Sequence, residues 1–259
     1  MVSFRIILCT VGVASIFRLQ AAAAPLSLSI NPTQDAFVSA TNSTVNYGKA
    51  GALSVSNGTQ GEFDSLLQFD LASIKSNFDL TFGAGGWTVQ SITLQLTAST
   101  PNNVIFNSNS GHNIGGDFSL TWLQDDAWTE GTGTPKPPLV TSGLSYATLP
   151  GLRTAGVDEN LGTFTAPTSD TATTVYTLAL TSAFTSDVSG GNMVSLLALP
   201  VSSNLAYTTN SKDFTNGSSS NFPVLTVTAQ SVPEPATASL LAGGMLSGLL
   251  RRRRHARAT

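Results

Sequence analysis

The segment Leu67-Gln68-Phe69-Asp70-Leu71 decides the fold class, because apolar and polar residues alternate along it. The segment Ile92-Thr93-Leu94-Gln95-Leu96-Thr97 repeats this alternation. Successive side chains of a β-strand point to opposite faces, so each pattern predicts a strand with one apolar face and one polar face. We therefore predict a sheet that is covered on one side only.

Further strand patterns follow along the chain. Residues 174–180 and 224–228 predict two more strands, and the nearly continuous apolar run 193–201 predicts a central strand buried on both faces. Short helical turns are predicted around residues 71–77 and 183–188. Glycine-rich turn signals separate these segments. The predicted fold is all-β, an antiparallel two-sheet β-sandwich of the jelly-roll type over residues 25–230.

The first residues predict a secretory signal peptide over residues 1–24. Arg5 supplies the basic start, residues 6–17 the apolar core, and residues 21–24 a run of alanines at the exit. The core of 12 residues is shorter than a membrane span, which needs roughly 20. We therefore expect export through the Sec machinery, with a short N-terminal anchor as the alternative.

The last residues combine three ordered elements. Val232-Pro233-Glu234-Pro235 is followed by an uncharged stretch, residues 236–250, and then by Arg251, Arg252, Arg253 and Arg254. As a helix the stretch would be about 22 Å long, short of the ~30 Å hydrocarbon core, so it predicts a marginal transmembrane helix. The arginines are expected to stay in the cytoplasm and leave the body of the protein outside.

These elements resemble the PEP-CTERM sorting signal of Gram-negative bacteria, over residues 231–259. The resemblance implies an exosortase-type membrane protease that cuts near Pro233-Glu234-Pro235. The protein would be held transiently at the inner membrane by its C-terminal helix and then be released to the cell surface or the extracellular medium. An ordinary single-span tail anchor is the alternative.

The composition of residues 25–230 excludes some functions. Cys9, in the predicted signal peptide, is the only cysteine, so the mature chain has no disulfide. The body holds five basic and fourteen acidic residues, a formal charge of −9. Such a surface repels phosphodiesters, so nucleic acid is excluded as a partner. An anionic polysaccharide is disfavoured unless calcium bridges it.

The body also resembles a second family. The runs Asp35-Ala36-Phe37-Val38, Asn46-Tyr47-Gly48 and Ser65-Leu66-Leu67-Gln68-Phe69-Asp70-Leu71 are similar to the opening of DNRLRE-type domains. Trp128-Thr129-Glu130-Gly131 and Pro223-Val224-Leu225-Thr226-Val227 extend the similarity. It implies a surface β-sandwich related to carbohydrate-binding modules. Asp64-Ser65 replaces the usual arginine of that family before the Leu-Leu-x-Phe-Asp strand.

No arrangement of residues predicts catalysis. Glycoside hydrolysis needs two carboxyl groups across the scissile bond, and Asp125, Asp126 and Glu130 are the nearest candidates, although a polar turn that caps a sheet edge is the preferred explanation. His112 is the single histidine of the body, with no partner at zinc-ligand spacing and no Gly-x-Ser-x-Gly motif. We predict that the protein is not an enzyme and has no cofactor.

Two kinds of binding residue are predicted. Tyr47, Tyr146 and Trp128 are the candidates for glycan contact, because a sugar ring packs on an exposed aromatic face; the two tyrosines are expected in exposed loops. A structural calcium ion would use carboxylate and carbonyl oxygens, with the weak candidates Asp35, Asp64 and Asp70.

The sequence thus predicts a non-enzymatic, exported component of the cell surface or of an exopolysaccharide-rich biofilm matrix. The alternative is a carbohydrate-binding module that recognises exopolysaccharide, and the third class is a polysaccharide-degrading enzyme. Exposed aromatics would favour the second, and a carboxyl pair in a cleft would favour the third.

Overall fold

The computed structural model describes residues 24–58, 61–99, 113–215 and 221–232, which form one compact unit, Ala24–Val232. The strands are β1 (Leu26–Ile30), β2 (Gln34–Ser39), β3 (Ala52–Gly58), β4 (Gly61–Asp70), β5 (Trp87–Thr97), β6 (Gly116–Leu123), β7 (Glu159–Ala166), β8 (Thr173–Leu178), β9 (Met193–Pro200), β10 (Ala206–Asn210) and β11 (Val224–Ser231). The helices are α1 (Ala72–Phe82), α2 (Ser182–Gly190) and a 3-10 turn at Leu149–Leu152. Within these ranges no helix is long and apolar enough to span a membrane.

Two antiparallel sheets enclose the core. The smaller has the order β1-β11-β5-β8, and the larger has the order β10-β3-β4-β9-β6-β7, with β2 also paired to β4. The main core cluster takes Ile92 and Leu94 from the smaller sheet and Phe69, Leu120 and Leu196 from the larger, so side chains of both sheets meet in it. This confirms a two-sheet sandwich.

The helices begin close to the predicted turns but are longer. The Asp70 carboxylate accepts the backbone N–H of Ala72, two residues on, and so satisfies a donor at the start of α1. Ile74 and Phe78, four residues apart, bury one face of α1 against the core. That contact extends α1 to eleven residues where the sequence predicts a short turn.

The prediction of a sheet covered on one side holds for β5 but is wrong for β4. Gln68, on the polar side of β4, is fully buried. The chain between β6 and β7, residues 124–158, lies over this side, and its Trp128, Leu144 and Leu149 form a second apolar cluster with Leu66 of β4. We call residues 124–158 the covering loop.

Asn46 ties the covering loop to the sandwich. Its Nδ2 donates to the carbonyl oxygens of Glu130 (2.6 Å) and Leu144 (2.7 Å). Its Oδ1 accepts the N–H of Gly133 (2.7 Å) and of Gly48 (3.2 Å). The backbone of Asn46 lies so close to residue 133 that only glycine fits there, since a Cβ would lie 1.9 Å from the Asn46 carbonyl oxygen.

Several predicted features lie outside the described residues. These are the signal peptide as far as residue 23, His112, and the sorting signal after Val232, including Pro233, Glu234, Pro235 and the arginine cluster. For these segments the sequence remains the basis of interpretation.

Candidate functional site

The expectation that Tyr47 is exposed is wrong. The side chain is 6% exposed, and its ring stacks on that of Phe37 with centroids 4.5 Å apart. Phe63 packs edge-on against the ring of Phe37. Tyr47 precedes β3 in a loop, but it fills an apolar cluster under that loop and offers no ring face to a sugar.

Trp128 is also a structural residue. It is 6% exposed, and its indole N–H donates to the hydroxyl of Ser195 at 2.9 Å. The ring belongs to the cluster beneath the covering loop. A buried indole with its polar atom satisfied cannot contact a glycan without opening this loop.

Tyr146 remains partly exposed and lies in a polar setting. Its ring packs on the edge of the apolar cluster below the covering loop. Its hydroxyl donates to Glu62 Oε1 at 2.9 Å, and this bond, with burial and the charges of Glu62 and Asp64, raises the pKa of Tyr146. Of the three predicted aromatic contacts, Tyr146 is the one that presents part of its ring to solvent.

Asp64 lies next to this tyrosine on β4. It is 3% exposed, and within the described residues its Oδ1 has no hydrogen-bond partner. Burial, with a smaller contribution from Glu62, raises the pKa of Asp64 to about 7, although the charge of Arg153 acts in the opposite direction. A buried carboxyl oxygen without a partner is energetically unfavourable, and a ligand could reach it only if the residues that cover Asp64 moved.

We call Glu62, Asp64, Tyr146 and Arg153 the Tyr146 site. The covering loop supplies Tyr146 and Arg153, and β4 supplies the two carboxyl groups. Glu62 and Asp64 are two residues apart on one strand, so both side chains leave the same face. An aromatic ring beside carboxylates and a guanidinium offers stacking, hydrogen-bond acceptors and hydrogen-bond donors, which is the set of groups that sugar hydroxyls need.

A second polar cluster surrounds Asp35. Carboxylate oxygens of Asp35, Glu130 and Asp213 lie within 4.8 Å of one another. Asp35 is fully buried, its Oδ2 accepts the backbone N–H of Lys212 at 2.7 Å, and burial raises the pKa of Asp35 to about 7. The Lys212 ammonium lies 2.7 Å from Glu130, and Lys49 lies 3.2 Å from Glu130 and 3.0 Å from Asp213.

This arrangement corrects the predicted calcium set. Asp35, Asp64 and Asp70 do not converge: Asp35 joins Glu130 and Asp213, Asp64 belongs to the Tyr146 site, and Asp70 is exposed at the start of α1. Lys49 and Lys212 pair with Glu130 and Asp213 in the Asp35 cluster, and burial raises the pKa of the third carboxyl group, Asp35.

The carboxyl groups weighed for catalysis have different surroundings. Glu130 is paired with lysines, and Asp125 accepts the backbone N–H of Ala127 at 2.8 Å. Asp126 is partly buried, and burial raises its pKa. These contacts are typical of a turn that fastens the covering loop.

Comparison with known families agrees with the chemistry of the Tyr146 site. Residues 27–134 match the model of carbohydrate-binding module family 96. The match runs from β1 through β6 and includes Glu62 and Asp64, whereas Tyr146 and Arg153 lie beyond it. The match supports a domain related to carbohydrate-binding modules. No curated protein gives a significant match to the chain.

Proposed function

We propose that this protein is a non-enzymatic, exported polysaccharide-binding protein of the cell surface or extracellular matrix. The observation that carries the proposal is the family match across β1 to β6, with two carboxyl groups of the Tyr146 site inside the matched residues. The partly exposed Tyr146 and the exposed Glu62 carboxylate, which accepts the tyrosine hydroxyl, add the recognition chemistry.

In this proposal a sugar ring packs its apolar face on Tyr146. The exposed Glu62 accepts hydrogen bonds from sugar hydroxyls, and the exposed Arg153 donates to ring or hydroxyl oxygens, while Asp64 lies buried beside them. The acidic body disfavours an anionic polymer, so the ligand is an uncharged exopolysaccharide.

Tyr146→Ala is expected to weaken polysaccharide binding about 10-fold, because a stacked aromatic contributes up to about 1.4 kcal/mol. Affinity electrophoresis of the purified full chain in gels with hydroxyethylcellulose, galactomannan or alginate measures this. Tyr146→Phe keeps the ring and is the matched control, with a loss of about 3-fold or less. Equal retardation of wild type and Tyr146→Ala would show that this ring is not a contact.

We further propose that the exosortase route delivers the protein. The proposal rests on Val232-Pro233-Glu234-Pro235, the uncharged stretch and the cluster Arg251 to Arg254. Cleavage near the Pro-Glu-Pro motif would separate the sandwich from the membrane segment, while the arginines hold the tail on the cytoplasmic side.

Mass spectrometry of secreted and membrane fractions tests this route. The wild-type protein outside the cell is expected to end near residues 232–236. The triple change Pro233→Ala, Glu234→Ala and Pro235→Ala is expected to leave the intact tail in the membrane fraction. Retention of Arg251 to Arg254 in both proteins would identify a plain tail anchor.

A further inference from the structure

The outer side of the smaller sheet carries ordered rows of hydroxyl groups. The backbone pairing places Ser29 opposite Thr226, Thr226 opposite Thr93, and Thr93 opposite Thr177, so one row crosses all four strands. A parallel row joins Ser27, Thr228 and Ser91. We call these two rows the hydroxyl face. It lies on the opposite side of the sheet from the core.

The geometry of the hydroxyl face is regular. Neighbouring strands are about 4.8 Å apart, so four strands extend a row over roughly 14 Å, and the two rows are about 7 Å apart. Ser27 and Thr228 hydroxyls lie 2.8 Å apart, as do those of Ser29 and Thr226. These pairs fix the rotamers of the outer side chains before any ligand arrives.

The smaller sheet contains no charged residue in any of its four strands, although the body has a formal charge of −9. The aromatic residues of these strands, Trp87 and Tyr176, are buried on the inner side. Val175 is the large apolar side chain of these strands that is exposed. The face is therefore polar, uncharged and without an aromatic stacking platform.

The polar, uncharged character of the hydroxyl face indicates which kind of partner it can bind. An anionic polymer or membrane would gain nothing from an uncharged face within an acidic body. A protein interface usually has an apolar or aromatic centre, which this face lacks. A neutral polysaccharide presents the same groups as the face, hydroxyls that both donate and accept. Its hydroxyl groups recur at regular intervals along the chain, as do the hydroxyl groups of the two rows.

We propose that the hydroxyl face is a second binding surface, and that its ligand is an uncharged polysaccharide packed as a flat array of chains. This rests on the proposed function. Each hydrogen bond exchanged with water contributes only about 0.5–1.5 kcal/mol net, so one sugar binds weakly and many simultaneous contacts are needed. The face therefore binds an ordered insoluble polymer and not soluble oligosaccharides, whereas the Tyr146 site binds single chains.

A pull-down of the full chain on microcrystalline cellulose, with hydroxyethylcellulose as the soluble counterpart, tests the proposal. Thr93→Lys, in the centre of the longer row, is expected to lower the fraction bound to the insoluble polymer at least 10-fold. Thr163→Lys is the matched control, because Thr163 is an exposed strand threonine of the larger sheet. Should Thr93→Lys unfold, Thr226→Val removes a row hydroxyl without a change in size and is expected to reduce binding about 3-fold.

The outcomes separate the two proposals. Loss of insoluble binding in Thr93→Lys, with soluble binding intact, supports the hydroxyl face. Binding of the wild type that depends on Tyr146 but is unchanged in both Thr93→Lys and Thr226→Val overturns the hydroxyl face and leaves the proposed function standing. Failure of the wild type to bind any of the polysaccharides overturns both.

Discussion

Asn46→Ala is expected to lower the free energy of unfolding by about 4 kcal/mol. The side chain is fully buried and makes four hydrogen bonds, two to carbonyl oxygens and two from backbone N–H groups. Removing it leaves these four buried groups without that partner, and each such group costs about 1–3 kcal/mol where water cannot replace the bond. Urea denaturation followed by tryptophan fluorescence measures the change.

A matched asparagine separates this effect from the general effect of the substitution. Asn77 is exposed on α1, where its Nδ2 donates to the carbonyl oxygen of Ser73 alone. Asn77→Ala is expected to change stability by about 0.5 kcal/mol or less. A loss below about 1.5 kcal/mol for Asn46→Ala would mean that the covering loop is not fixed through this residue.

Asp64→Asn is expected to stabilise the protein by about 3 kcal/mol more at pH 8 than at pH 5. Burial raises the pKa of Asp64 from 3.8 to about 7 in the folded chain. Between these two values the folded state holds a proton that the unfolded state has released, so stability falls as pH rises from about 4 to about 7. An amide cannot ionise, so it removes this loss.

The comparison must be made as a difference between variant and wild type at each pH. Burial also raises the pKa of Asp35 to about 7. Asp35 therefore makes the free energy of unfolding fall with rising pH by a similar amount in both proteins. Chemical denaturation at pH 5, 6, 7 and 8 gives the two curves. If they run parallel across this range, the Asp64 carboxyl is not held neutral in the folded protein.

The sequence predicts the strands well because their signal is local. Alternation in Leu67-Gln68-Phe69-Asp70-Leu71 and in residues 92–97 is visible within six residues, and both segments are strands in the structure. The residues that cover a strand can lie far from it in the sequence, so the local pattern does not reveal them. Gln68 is buried under the covering loop, where its partner Asp126 comes 58 positions later, so its polarity is a misleading guide to exposure.

For the residues of the candidate sites, too, the sequence indicates single residues but not the neighbours that the fold brings to them. Tyr146 was predicted from its loop position, but its neighbours Glu62 and Asp64 lie on a strand more than 80 residues earlier. Likewise Asp35 meets Glu130 and Asp213 only through the fold. The hydroxyl face could have been suspected from Thr226-Val227-Thr228 and Ser27-Leu28-Ser29, whose outward residues share a type, yet their register depends on strand order.

The most direct test of the account is the binding of the full chain to an uncharged exopolysaccharide. Isothermal titration calorimetry at pH 7.5 is expected to show saturable binding that Tyr146→Ala weakens about 10-fold and Tyr146→Phe largely preserves. If the folded wild-type protein gives no binding to this polysaccharide, the protein is not a polysaccharide-binding module, and the central claim is wrong.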